Sequence, residues 1–142
     1  MRIMGLDFGS KTVGVAVTDP LGITAQGITI IRRESEKRLR KTLAEIERLA
    51  TEYEVEKIVV GLPLNMDGSR GERAEKSIKF AEDIKRRTGI NVEMMDERLT
   101  TVEADEIMSD LNIRGAKRKE LVDEIAAVII LEDYMRNNPL HK

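Results

Sequence analysis

With 142 residues, 41% of them apolar and 35% charged, the chain has room for one soluble domain with a real core, and its longest apolar run, Ile125 to Leu131, is too short to span a bilayer. It has no cysteine and a single histidine, His141, next to its end, which excludes disulfides, thiolate metal sites and Ser-His or Cys-His nucleophile systems. Any catalytic metal must therefore be held by oxygens of the 26 acids, which points to Mg²⁺ or Mn²⁺, and a net charge of −2 argues against a generic basic nucleic-acid coat protein.

Residues 2–8 (RIMGLDF) read as a first strand, broken by a Gly9-Ser10-Lys11 hairpin turn. Thr12 to Thr18 is a second, β-branched strand on which Gly14 and Ala16 keep one face thin. Asp19-Pro20-Leu21-Gly22 signals a turn, and Ile23 to Ile31 a third strand, so the three form an antiparallel meander. The period then changes. Leu39, Leu43, Ile46, Leu49, Ala50 and Tyr53 recur at helical spacing behind Ser35 as a candidate N-cap.

Lys57 to Leu62 is nearly all apolar, as expected of a buried parallel strand, and a polar loop reaches Gly71. Ala74, Ile78, Ala81 and Ile84 mark a second helix ended by Gly89, and Asn91 to Asp96 a fifth strand. Thr100 and Glu103 form a capping box before a helix with Val102, Ile107, Met108 and Leu111; a last helix spans roughly 117–136. The order β-β-β-α-β-α-β-α-α predicts an α/β fold: a five-stranded mixed sheet with helices on both faces. Residues 1–138 are expected to form one domain and 139–142 a short tail.

Three acids have surroundings that are wrong for acids. Asp7 closes an apolar strand, Glu97 follows another, and Asp123 precedes the most apolar segment of the chain. A buried carboxylate needs a cation or a donor beside it. With strands one and five running in the same direction, Asp7 and Glu97 leave at the same carboxyl edge, where open α/β sheets place their sites. A final helix crossing the sheet brings Asp123 to the same point, its Ala126 and Ala127 allowing close approach. Such a cluster can bind one or two metal ions for in-line displacement at phosphorus. Position alone also permits plainer roles: Asp7 as a turn-former, Asp123 as a first-turn acid favoured by its helix dipole, Glu97 as a partner of Arg98.

Four blocks together resemble the YqgF (RuvX) family of pre-16S ribosomal RNA nucleases. They are Met4-Gly5-Leu6-Asp7-Phe8-Gly9-Ser10-Lys11-Thr12-Val13-Gly14-Val15-Ala16, Val60-Gly61-Leu62-Pro63-Leu64-Asn65-Met66-Asp67-Gly68, Asp96-Glu97-Arg98-Leu99-Thr100-Thr101 and Asp123-Glu124-Ile125-Ala126-Ala127-Val128-Ile129-Ile130-Leu131. The resemblance implies a ribonuclease-H-like fold related to the RuvC resolvases, a metal-dependent endonuclease activity and a role in maturing the 5′ end of 16S ribosomal RNA. It carries the catalytic and metal-binding roles onto Asp7, Glu97 and Asp123. The alternatives are a Holliday-junction-type DNA resolvase and a non-catalytic RNA- or ribosome-binding module; an actin- or sugar-kinase-like ATPase is a weaker rival, because those enzymes close two such domains on a nucleotide.

Asn65 and Arg73 are expected to contact substrate phosphate, Arg98 to orient the scissile group, and Lys11 to touch the backbone from the first turn. Asn65 and Asp67-Gly68 favour a tight turn. Positive charge gathers at Arg32–Arg33 with Lys37, Arg38, Arg40 and Lys41, at Lys85–Arg86–Arg87, and at Arg114 with Lys117–Arg118–Lys119. Each clump is a solvated helix face or a phosphate track. The expected partners are nucleic acid, precursor 16S rRNA or branched DNA, and ribosomal particles. No membrane partner is expected, and monomer and homodimer are both compatible. The opening residues do not read as a signal peptide, so a cytoplasmic location follows by default.

Overall fold

The structure, a computed structural model, describes residues 1–9, 11–33, 39–65, 67–97, 106–111 and 116–137, with side chains of the last segment from 121 onward. Ser35, the Thr100–Glu103 capping box, Arg98, Arg114, His141 and the 139–142 tail lie outside the described residues.

Five strands form one sheet in the order β3-β2-β1-β4-β5: β1 (Arg2–Phe8), β2 (Thr12–Thr18), β3 (Ala25–Arg32), β4 (Val55–Leu62) and β5 (Asn91–Asp96). The first three are an antiparallel meander, and β4 and β5 add in parallel to β1. Three expected bounds move, the end of the third strand by one residue, to Arg32. The third strand begins at Ala25 and not Ile23, because the Asp19 carboxylate accepts the backbone N–H groups of Ile23 and Thr24 and holds them in the turn. The fourth begins at Val55, which is buried, straight after Glu54 turns the chain at φ 54°.

Period-two alternation sorts the core into two layers. Met4, Leu6, Phe8, Val13, Val15, Val17, Ile58 and Val60 face α1 (Arg40–Glu52) and α2 (Glu72–Thr88), from which Ile46, Leu49, Ala50, Phe80, Ala81 and Ile84 pack down. Phe80 stacks on Phe8 with ring centroids 4.0 Å apart. Gly89 ends α2 in the left-handed conformation (φ 72°), as its sequence position predicts. Leu39, not Ser35, stands at the N-cap of α1, without a side-chain cap bond. The cations at the end of α2 suit its dipole, and two of them pair with acids, Arg86 with Asp83 and Arg87 with Glu47, so that clump is a helix surface. Residues 106–110 are helical, and of the described members of the expected apolar stripe Met108 is buried while Ile107 and Leu111 are exposed.

The opposite face carries α3 (Ala116–Asn137), whose Ala127, Ile130, Leu131 and Tyr134 pack on Ile3, Ala16 and Val59. Glycines of the strands, as well as the fully buried Ala126 and Ala127 of the helix, let it sit close. A Cβ on Gly14 would stand 2.0 Å from the Asp123 carbonyl oxygen, and one on Gly5 3.0 Å from that of Ala127. Gly14→Ala therefore has to lift the helix backbone off the sheet. The expected cost is about 3 kcal/mol or more of folding stability, read as a lower urea midpoint at unchanged m. A midpoint equal to wild type would mean the helix is not seated on β2 at this depth. Among the described residues, no helix is long and apolar enough to cross a membrane.

Candidate active site

Alternation also decides which acids meet. Asp7 is in phase with Ile3 and Gly5 on β1, and Glu97 continues the phase of Glu93 and Met95 on β5; both therefore lie on the α3 face of the sheet. Glu97 stays in register beyond the strand end, because its N–H donates to the Leu62 carbonyl at 3.1 Å. Its carboxyl lies over Gly61, where a Cβ would come within 2.6 Å of it. A side chain at 61 would expel it.

Asp7 and Glu97 are each only 8% exposed. Burial first, then the charge of Asp123, raises the Asp7 carboxyl well above its ordinary range, while a hydrogen bond with Glu97 and the charge of Arg73 pull it partly back. Burial again, then the Asp7 charge and a bond to Asp7, raises Glu97 further. The two carboxyls thus sit side by side as a coupled pair, the hydrogen bond between them lowering Asp7 and raising Glu97. Asp123, on α3, is half-buried and raised by that burial, while a hydrogen bond from Thr12 and the charge of Arg73 act in the other direction.

The structure thus gathers Asp7, Glu97 and Asp123 into one electrostatic neighbourhood at the carboxyl edge of the sheet. It does not draw them into a closed cage: among the described residues no three acids are close enough to grip an ion between them. Asp123 belongs to the site electrostatically, and its Oδ2 accepts from the Thr12 hydroxyl. The donor set still fits a hard divalent cation. All its atoms are oxygens, two carboxyls are buried, and their mutual repulsion is what a cation relieves.

Arg73, in the first turn of α2, is exposed at its surface yet acts electrostatically on all three acids. With Asp7, Glu97, Asn65, Pro63, Leu64, Gly71 and Glu72 it lines a cavity of about 310 Å³ beside them. The loop that forms one wall closes on itself as its turn residues predict. Asn65 N–H donates to Ser69 O at 2.9 Å and Gly68 N–H to Asn65 O at 2.8 Å, and the Asn65 side-chain amide donates to the Ser69 hydroxyl at 3.0 Å. Asn65 is therefore a loop-former as well as a lining residue. Lys11 is exposed in the β1–β2 turn and is not among the residues lining the cavity.

Sequence reasoning missed Thr12 and the cavity beside the acids. A signal for Thr12 was available: it is in phase with Gly14 and Ala16, the thin face that α3 occupies.

The chain resembles known proteins along nearly its whole length. Residues 1–137 match the family described as "RuvX: Holliday junction resolvase". A protein of Agathobacter rectalis named "Putative pre-16S rRNA nuclease" is 58% identical over 135 residues, covering 95% of this chain and 94% of its own. One of Lachnospira eligens with the same name is 53% identical over 137 residues, covering 96% and 98%. Among solved structures, Thermus thermophilus RuvC in complex with a Holliday junction substrate superposes with a TM-score of 0.58 at 15% identity, covering 97% of this chain and 96% of that one. That similarity shows the fold, the ribonuclease-H-like architecture expected above. On the family match and the close relatives, the chain belongs to the RuvX family.

Proposed function

We propose that this protein is a divalent-metal-dependent nuclease that hydrolyses phosphodiester bonds in precursor 16S ribosomal RNA, at the 5′ end. One observation carries the reading: two acids buried side by side, with a third in electrostatic range, at the sheet edge of a chain whose close relatives bear a nuclease name. A fold has no structural use for adjacent buried carboxyls, which cost stability unless something cationic binds there.

Asp7, Glu97 and Asp123 would hold Mg²⁺ or Mn²⁺. When bound, such an ion supplies charge neutralisation at the scissile phosphate and activation of the attacking water. Arg73, which lines the same cavity as Asp7 and Glu97, orients a phosphate there, while Asn65 fixes the wall against which the substrate backbone rests. Lys11 and Arg98 add backbone contacts, Arg98 at the scissile group. With two Phe, two Tyr and no Trp, stacking has little to offer, so recognition rests on shape and backbone. The protein works in the cytoplasm on ribosomal particles, as a monomer or a homodimer.

A second reading has specific support. The family's description names a Holliday junction resolvase, and the fold matches RuvC bound to one, whereas the close relatives are named for RNA. The relatives cover far more sequence identity, so RNA is preferred. The test sets a 16S precursor fragment beside a four-way DNA junction, with Mn²⁺ and with chelator. Metal-dependent cutting of the RNA, with binding that weakens steeply as salt rises, is the expected result. Faster cutting of the junction selects the resolvase reading. Tight RNA binding with no cutting of either selects a non-catalytic binding module.

A further inference from the structure

We infer that Thr12 is a positioning residue for the metal site, its hydroxyl setting where the Asp123 carboxylate stands relative to the Asp7–Glu97 pair. The inference rests on the proposed role of Asp123 as a ligand, and goes beyond it by assigning a residue that touches neither ion nor substrate.

Asp123 reaches the site from a helix on another layer, 111 residues along the chain from Thr12. Its backbone is fixed by contact with β2 at Gly14. Backbone contact leaves the side-chain torsions free, and an aspartate on a helix facing two other acids is driven away from them by repulsion. Thr12 Oγ1 donates to Asp123 Oδ2 and removes that freedom. The bond engages one oxygen of a two-oxygen group, a geometry in which the second can serve an ion.

The donor itself is well held. Thr12 opens β2, pairs with Arg32 in register, and its carbonyl accepts the Gly9 N–H at 2.8 Å, closing the turn that also ends the Asp7 strand. Its χ1 is restricted by β-branching. Asp7 and the Asp123 clamp therefore share one rigid hairpin, and ligand-holding hydrogen bonds of this kind typically govern metal affinity by 10- to 100-fold.

The test measures Mn²⁺ binding to the full chain by calorimetry for wild type, Thr12→Val, Thr12→Ser and Asp123→Asn, with urea melts in parallel. Thr12→Val keeps the shape and strand preference but deletes the donor; it should weaken Mn²⁺ binding about 10- to 100-fold, and its cleavage should recover at saturating Mn²⁺. Thr12→Ser restores the hydroxyl and should bind within about 3-fold of wild type, which a purely structural role for the threonine methyl would not allow. Unchanged Mn²⁺ affinity in Thr12→Val beside weakened affinity in Asp123→Asn overturns the inference and leaves the site reading standing. Unchanged affinity in Asp123→Asn overturns both. If Thr12→Val does not fold, Thr12→Ala set against Thr12→Ser makes the same comparison.

Discussion

Asp7→Asn is expected to slow cleavage by about a thousandfold or more, equivalent to about 4 kcal/mol of transition-state stabilisation, while the protein stays folded. The side chain is buried at the end of β1, beside Glu97 and within reach of the charges of Asp123 and Arg73. Asparagine matches its shape and can still hydrogen-bond Glu97, so packing survives. What is lost is one negative charge at the point where a cation has to be held. Glu97→Gln and Asp123→Asn should behave alike for the same reason. Residues that grip one ion act as a unit, so the Asp7→Asn/Glu97→Gln double variant should lose little more than either single one. Single-turnover cleavage at saturating Mn²⁺ reads the loss, and circular dichroism reads the fold. Product formed by Asp7→Asn at the wild-type rate would trace the activity to a contaminating nuclease.

How much of this was legible before the fold was known follows from what each signal measures. β1, β2 and β5 have the bounds that their turn signals and strand-forming residues assign, and in β1 and β2 every residue but the first is buried. Asp7 and Glu97 could be paired at a distance because strands one and five, running in the same direction, deliver both to the same carboxyl edge. The start of β3 was misplaced because Ile23 looks like a strand residue but is exposed, held in a turn by a single aspartate side chain. Ser35 is a good cap by composition, yet the helix begins at Arg40 behind Leu39, with no side-chain cap bond. Asp123 could be placed near the site but not at its final position. That depends on a hydroxyl from another layer, and no local pattern reports such a contact.

The same burial that suits Asp7 and Glu97 to an ion makes them a liability without one, and this has a large expected consequence for stability. Burial, then the Asp123 charge, takes Asp7 from its ordinary 3.8 to about 6; burial, then the Asp7 charge, takes Glu97 from 4.5 to about 9. Both shifts are upward, so between the ordinary and the folded values the native state holds protons the unfolded chain has released. Stability of chelated wild type should accordingly be fullest below about pH 4 and fall as pH rises toward about 9. Glu97→Gln removes the larger part of that loss, since the glutamine amide can donate to Asp7 as the Glu97 proton does. At pH 8 in chelator the variant should be more stable than wild type by on the order of 2 kcal/mol, roughly 6 °C in Tm, with the two converging near pH 4. Adding Mn²⁺ should reverse the order at pH 8, because an ion that binds only the native wild type stabilises it by mass action and has lost a ligand in the variant. Thermal melts of both proteins across pH, with and without Mn²⁺, give the four curves. A wild type that stays the less stable protein in Mn²⁺ would mean these carboxyls bind no cation, and their burial would need another cause.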